Sequence, residues 1–475
     1  MTDTTTESTA IADTIHFIGI GGVGMSGIAR VAHDQGLRVS GSDMRASRYT
    51  KQLEDAGVKV FIGHDAANIP EGMPTVVVST AVLDNNPELV AAKERHLPII
   101  HRAQMLAHLG VGLETLAVAG THGKTTTSSM LASVLDAMGD DPTFLIGGIV
   151  RSYGTNAHSG SGAHYVVEAD ESDKSFTYLS PAAAIITNIE PDHLDHYKDL
   201  DDIYDLFGQF ISSVPEGAPV VVCAEDAPLV KLARSCASHV ITYGFAEEMD
   251  ACITDFEAHG VGSTFALTLP SGRVVRSAIK QNPGRHNALN GAAVLTLIDA
   301  LGLDVDAAAE ALRDFAGVRR RFDLVGETCG VTVVDDYAHH PTEIAATIRA
   351  AKELDFNAVH VLFQPHRYSR VKLFTEVLRD EFAHAFDDAD TITFMDVYSA
   401  GEAPVPGVNG KTFLSVVTEN AESPQANYVS RRIEVARVMA ELASPGDLII
   451  TMGAGDVTEM GNQILDALDG MHKER

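Results

Sequence analysis

The chain has 475 residues, which on length alone suggests about three domains, and its 40 glycines fit a globular protein with many turns. A formal net charge of −30 disfavours non-specific attraction to nucleic acid or to an anionic membrane. Any anionic ligand must therefore be held by local cations and backbone amides. The four cysteines lack CxxC spacing and read as buried thiols of a cytoplasmic protein. Residues 1–12 lack the basic and apolar segments of a secretory signal, and no apolar run approaches the ~18 residues of a membrane span.

From Thr14 onward, short apolar runs alternate with amphipathic stretches, the pattern of βαβ units around a parallel sheet. "TIHFIGI" predicts a strand and "GVGMSGIARVAHDQG" a helix stopped at Gly36. "LRVSGSD", "VKVFIGH", "TVVVST" and "LPIIH" are further strands of a first unit closing near Gly112. A second unit opens with the strand "TLAVAG" and the helix "TTTSSMLASVLDAMG", with Gly139 past its end. "AHYVVEADESD" and "AAAIITNIEPDH" read as strands ending in polar residues. Residues 217–280, rich in β-branched residues and turns, predict a mixed or antiparallel part of the same unit, followed by a helix in "GRHNALNGAAVLTLIDALG". "GVRRRFDLVG" marks a boundary near Asp323 to Gly326. The alternation then restarts through "VTVVDDYAHHPTEIAATIRAAKEL", "AVHVLFQPHRYSR", "TITFMDVYSA" and "DLIITMGAGD". The expected units span 13–112, 113–324 and 325–475.

Two glycine loops carry the first chemical signal. Gly19, Gly21, Gly22 and Gly24 form G-x-G-x-x-G between a strand and a helix, with Asp43 about 20 residues on. Such glycines let the backbone approach a diphosphate, but NAD, FAD and a UDP-sugar all present one. The second loop, "AGTHGKTTT", falls short of the phosphate-loop pattern G-x-x-x-x-G-K-[ST]: Val118 stands where the first glycine belongs, and Gly120 leaves the loop two residues short. Gly120 and Gly123 still permit a cradle of amides, Lys124 can reach β- and γ-phosphates, and the Thr125 hydroxyl can ligate Mg²⁺. Glu168, Asp170 and His193 end the neighbouring strands, where ligands bind in open α/β sheets. His339 and His340 are adjacent and so point apart, which argues against a metal shared between them. His366, Arg367 and Arg370 follow a strand end, where arginine can hold a carboxylate bidentately.

"GTHGKTTT", "EADESD", "NIEPDHLDHY", "GRHNALN", "RRRFD" and "DDYAHHPTE" together closely resemble the Mur ligases of peptidoglycan precursor synthesis, over essentially the whole chain from Thr14 to Gly470. In that family the phosphate loop is the shortened form GTxGKT, so Val118 is no defect. The resemblance implies an α/β protein of three domains: N-terminal Rossmann-like, central P-loop-type ATPase with a mixed sheet, and C-terminal Rossmann-like. "GIGGVGMSGIA" and "FQPHRYSR" look like the branch that joins L-alanine to UDP-N-acetylmuramate, ahead of a recycling branch that attaches a tripeptide. The segment "DLDDIYDLFGQFI" lacks the carbamylated lysine of other members, again as in the alanine-adding branch.

Residue by residue, the resemblance implies ATP contacts at Gly120, Thr121, His122, Gly123, Lys124, Thr125, Thr126, Asn287, Asn290, Arg320, Arg321 and Asp335. It implies Mg²⁺, or Mn²⁺ in its place, at Thr125, Glu168 and His193. The UDP-sugar would meet Gly19, Gly21, Gly22, Gly24, Asp43, His64, Ser79, Thr80 and Arg102, and the amino acid Tyr337, His366, Arg367 and Arg370. Lys124, His193 and Arg367 are the expected catalytic residues, in a cytoplasmic monomer or homodimer without nucleic-acid or membrane partners. Phosphorylating the substrate carboxylate would supply a workable leaving group, after which the protein's task is positioning and charge stabilisation. Either His193 or a nearby carboxylate would take the amine's proton. A dehydrogenase would explain the first loop but not the second. A regulatory nucleotide-binding module would explain both loops but not the His–Arg cluster.

Overall fold

The computed structural model of the chain describes residues 11–171, 175–192, 197, 199–259, 261–420 and 423–473. Its first sheet contains β1 (Thr14–Ile18), β2 (Arg38–Asp43), β3 (Lys59–Ile62), β4 (Thr75–Val78) and β5 (Ile99–His101), all parallel, in the order β3-β2-β1-β4-β5. The order reverses between β1 and β4, the switch point at which open α/β sheets bind ligands. The helix Val23–Asp34 follows the glycine turn and buries Met25, Ile28, Val31 and Ala32. Gly36, at φ +93°, ends it as the sequence predicts.

The second sheet comprises β6 (Glu114–Ala119), β7 (Thr143–Val150), β8 (Thr155–His158), β9 (His164–Glu168), β10 (Ala183–Ile186), β11 (Val220–Cys223), β12 (Val240–Gly244), β13 (Ala251–His259), β14 (Gly262–Thr268) and β15 (Val274–Ile279). Their order is β15-β14-β13-β12-β11-β10-β6-β9-β7-β8. β6 lies between β9 and β10, parallel to both, and β13–β15 form the expected antiparallel part. The β7–β8 hairpin has no counterpart in the sequence reading. Gly147 and Gly148 interrupt the apolar run of β7 and weaken its strand signal. Both are needed small: a Cβ on Gly147 would lie 2.9 Å from a Glu168 carboxylate oxygen, and one on Gly148 would lie 2.7 Å from Val318.

The third sheet holds β16 (Asp323–Thr328), β17 (Val331–Asp336), β18 (Val359–Phe363), β19 (Thr391–Phe394), β20 (Gln425–Tyr428) and β21 (Leu448–Met452), in the order β16-β17-β21-β18-β19-β20. Only β16, which starts in the boundary region read from the sequence, runs antiparallel. One apolar core joins the first sheet to the second through Leu106, Leu145 and Tyr165. A second core packs the helices Lys124–Ala137 and Arg285–Ala300 on the other face of the central sheet. Two more cover the faces of the third sheet. All four cysteines are free, two of them buried. Among the described residues, no helix is long and apolar enough to cross a membrane.

Candidate active site

β6 runs directly into the shortened loop. Gly120 sits at φ +135° and Gly123 at φ +83°, conformations that favour glycine. A Cβ on Gly120 would lie 2.0 Å from Thr187 Oγ1, and one on Gly123 would lie 2.9 Å from Asn290 Oδ1, so the loop is closed by its neighbours as well as by its own turn. The Thr121 amide donates to the Asn188 carbonyl, and the His122 amide to Asn188 Oδ1. Helix Lys124–Ala137 begins here with no side-chain cap, leaving its first amides open to an anion.

The loop faces a buried acidic wall. Lys124 Nζ donates to both carboxylate oxygens of Glu171, at 3.0 and 2.8 Å, and to the Thr121 carbonyl. Burial disfavours the ammonium, yet Glu171, Asp170 and Glu168 more than offset it and hold Lys124 charged. Burial pushes the Glu171 carboxyl up to about 7, against the pull of Lys124. The Thr125 hydroxyl donates to Glu168 at 3.0 Å, and the Gly147 amide donates to the same carboxylate at 2.6 Å. Glu171 was not among the sequence candidates; its place in "EADESD", three residues after Glu168, was the available signal. His193 lies outside the described residues.

A cleft of about 730 Å³ brings the three sheets' loops together. The central unit contributes Thr121, His122, Gly123, Lys124, Thr125, Glu168 and Asp170. Arg320 and Arg321, at the end of the central unit, line it too, and the third unit contributes Tyr337, His366, Arg367 and Arg370. Arg370 pairs with Asp192 at 3.4 Å, and its Nη1 is buried without a hydrogen-bond partner. His366 stacks on Tyr398; burial, with Arg370 and Arg367 nearby, lowers its pKa to about 4. Arg320 and Arg321 flank the Tyr337 ring at 4.9 and 5.4 Å. His122, Gly123, Arg321 and Glu343 also border an adjoining cavity of about 160 Å³, lined further by Thr126, Asn287, Asn290 and Asp336.

Asp335, expected at the nucleotide, does not border that cavity; Asp336 does. Successive residues of β17 face opposite sides. Asp335 instead accepts hydrogen bonds from Arg320 Nε, Thr451 and Thr458. His339 and His340 diverge as expected: His339 lies against Glu343, while a ring nitrogen of His340 meets the Pro191 carbonyl at 3.2 Å.

In the first unit, Gly19 turns the chain at φ +81° and Gly22 caps the helix in extended conformation without a side-chain bond. Asp43, His64, Ser79, Thr80 and Arg102 follow or end β2, β3, β4 and β5, along the carboxyl edge of the sheet. Asp43 is engaged by the loop itself: its Oδ2 accepts from the Gly21 amide at 2.9 Å and its Oδ1 from Arg45. Arg102 Nη1 lies 3.5 Å from the position of a Cβ on Gly24. His64 bonds Ser42, which donates to the fully buried Glu88, a brace that sequence reasoning missed because a helix-borne glutamate reads as surface. Of this unit, Val23, Arg48 and Tyr49 reach the shared cleft.

Three sheet-bearing units converging on a phosphate loop, with acids on one side and arginines on the other, define a nucleotide-dependent enzyme of the ligase type. Family profiles agree along the chain: Mur ligase family, catalytic domain, over residues 14–111; Mur ligase middle domain over 118–298; and Mur ligase, glutamate ligase domain, over 320–455. The chain belongs to the Mur ligase family. It is 45% identical over 467 residues to the UDP-N-acetylmuramate–L-alanine ligase of Thermobifida fusca, covering 96% of each chain. It is 44% identical over 451 residues to the same enzyme of Agrobacterium fabrum, covering 94% of each. Among solved structures, the UDP-N-acetylmuramate–alanine ligase of Thermotoga maritima superposes with a TM-score of 0.79 at 31% identity, over 96% of this chain and 99% of that one. A murein peptide ligase from Psychrobacter arcticus gives 0.69 at 25% identity, over 96% and 98%.

Proposed function

We propose that the protein joins L-alanine to the lactyl carboxylate of UDP-N-acetylmuramate, converting ATP to ADP and phosphate through an acyl phosphate, in the cytoplasmic synthesis of peptidoglycan precursors. The observation that carries this reading is the single cleft shared by the phosphate loop, Glu168 and the Arg367–Arg370 pair. The full-length likeness to the alanine ligases named above supports the choice of substrates. In this reading units 13–112, 113–324 and 325–475 hold the UDP-sugar, ATP and alanine respectively. Asn287, Asn290 and Asp336 would border the nucleoside.

A carboxylate cannot expel oxide when an amine attacks it; transfer of the γ-phosphoryl group makes phosphate the leaving group. Lys124 would leave Glu171 to neutralise that group as it moves. The donors beside it suit a hard cation, since Thr125 and Glu168 offer oxygens 3.0 Å apart. Mg²⁺ there, or Mn²⁺ in its place, would neutralise charge on the phosphate oxygens. Arg367 and Arg370 would hold alanine's carboxylate and leave its amine free, with His366 kept neutral beside them. His193 or a nearby carboxylate such as Asp192, which pairs with Arg370, would take the amine's proton. Measuring ADP release with UDP-N-acetylmuramate and each amino acid in turn tests the proposal. Release driven by L-alanine supports it, whereas release driven only by a tripeptide, or none at all, rejects it.

A further inference from the structure

His122, Glu190 and His340 bring one ligand atom each to within 4.8 Å of one another, at the seam between the phosphate loop and the third unit. His122 Nε2 lies 3.5 Å from Glu190 Oε2, and His340 Nδ1 lies 4.0 Å from the same oxygen. Both of those ring nitrogens are buried without a hydrogen-bond partner, and the His340 side chain is only 3% exposed. Each ring's other nitrogen faces an acceptor. His340 Nε2 meets the Pro191 carbonyl at 3.2 Å, and His122 Nδ1 faces Glu343 at 3.5 Å. Outer partners of this kind fix the tautomer and aim the remaining lone pair inward, as metal-bound histidines require.

The geometry points to a binding site for a divalent transition ion of the zinc type, held by His122, Glu190 and His340 and separate from the oxygen donors Thr125 and Glu168. Two imidazoles and one carboxylate suit zinc, cobalt or nickel rather than magnesium. Bonds of about 2.0–2.1 Å would require the three atoms to draw together slightly. The ion would displace any proton that His122 carries between Glu190 and Glu343. Because the ligands come from the phosphate loop, the segment after β10 and the start of the helix Pro341–Lys352, an ion here would clasp the third unit onto the loop. This inference does not depend on the ligase reading.

Co²⁺ titrated into metal-stripped full-length protein at pH 8, with Mg²⁺ in excess to fill the oxygen site, reports the coordination directly. The expected result is one equivalent giving the strong visible bands of four-coordinate Co²⁺, displaced by Zn²⁺ and retained in Thr125→Val. His340→Ala should weaken binding about 100-fold or more, since even outer-shell losses cost roughly 10–100-fold. Glu190→Gln, on a side chain 31% exposed, should do the same and guards against misfolding of the buried variant. Only the weak bands of six-coordinate Co²⁺ in the wild type, or wild-type affinity in Glu190→Gln, overturns the site.

Discussion

Replacing Lys124 with alanine removes two things at once, and the structure says how to separate them. The ammonium is 11% exposed and the Glu171 carboxylate 5%, so the pair is buried. Deleting one partner of a buried pair typically costs about 3–5 kcal/mol, because the other charge is left uncompensated. Asp170 and Glu168 lie close enough to raise that strain further. At pH 8 or above, where Glu171 is ionised in the pair, Lys124→Ala should therefore melt well below the wild type in the absence of ligands, whereas Lys124→Ala/Glu171→Gln should regain most of the lost stability. Turnover should behave differently. Loss of a donor at the transferring group costs about 10²–10³-fold or more, and the double variant cannot restore it. Thermal melting and a coupled ADP assay on both proteins check the two halves. A single variant as stable as the wild type, or a double variant that recovers ADP formation, would refute the reasoning.

Glu171 also sets a pH dependence. Its carboxyl, raised from 4.5 to about 7 by burial, binds a proton more tightly folded than unfolded. Its contribution to stability is thus complete below about pH 4.5 and lost as pH rises through about 7. Melting temperatures of Glu171→Gln should gain on the wild type across that window; parallel curves would contradict the shift. A Cβ on Gly22 would meet only ordinary contacts, the nearest at 3.5 Å, so Gly22→Val should raise KM for the sugar nucleotide with little change for ATP. A selective loss of ATP affinity would mean the two loops have exchanged roles. Arg370→Ala removes a charge-assisted contact worth about 1.5–3 kcal/mol, so KM for alanine should rise about tenfold or more. An effect confined to ATP would move Arg370 to the nucleotide.

Most strands of the three sheets were legible because their apolar runs are bounded by glycines and polar residues, as at Gly36 and Gly139, but the short polar edge strand β20 was not. Nor was the β7–β8 hairpin, because Gly147 and Gly148 serve Glu168 and Val318 rather than the strand. Local pattern also singled out Lys124, Thr125, Glu168 and the His366–Arg370 run, at strand or helix ends, and these border one cleft. It named Asp335 at the nucleotide, whereas Asp336 borders that cavity, since the face each takes depends on the pairing of β17 with β16 and β21. Nor could it find contacts 47 residues apart, such as Lys124 with Glu171, or 149 apart, such as His340 with Pro191. The first follows from packing within the central unit and the second from packing between units, and neither leaves a local periodicity.

The central claim is that the carboxylate is phosphorylated before the amide forms, and oxygen transfer tests it most directly. UDP-N-acetylmuramate carrying ¹⁸O in both lactyl carboxylate oxygens should deliver one label to inorganic phosphate per turnover and keep the other in the amide. The proposed roles favour this route, since Lys124 and Thr125, which now meet Glu171 and Glu168, would turn to the terminal phosphates of a bound nucleotide. Mass spectrometry of the released phosphate decides it. Singly labelled phosphate formed in step with product is the predicted result; unlabelled phosphate in step with product, or label in AMP, would contradict the account.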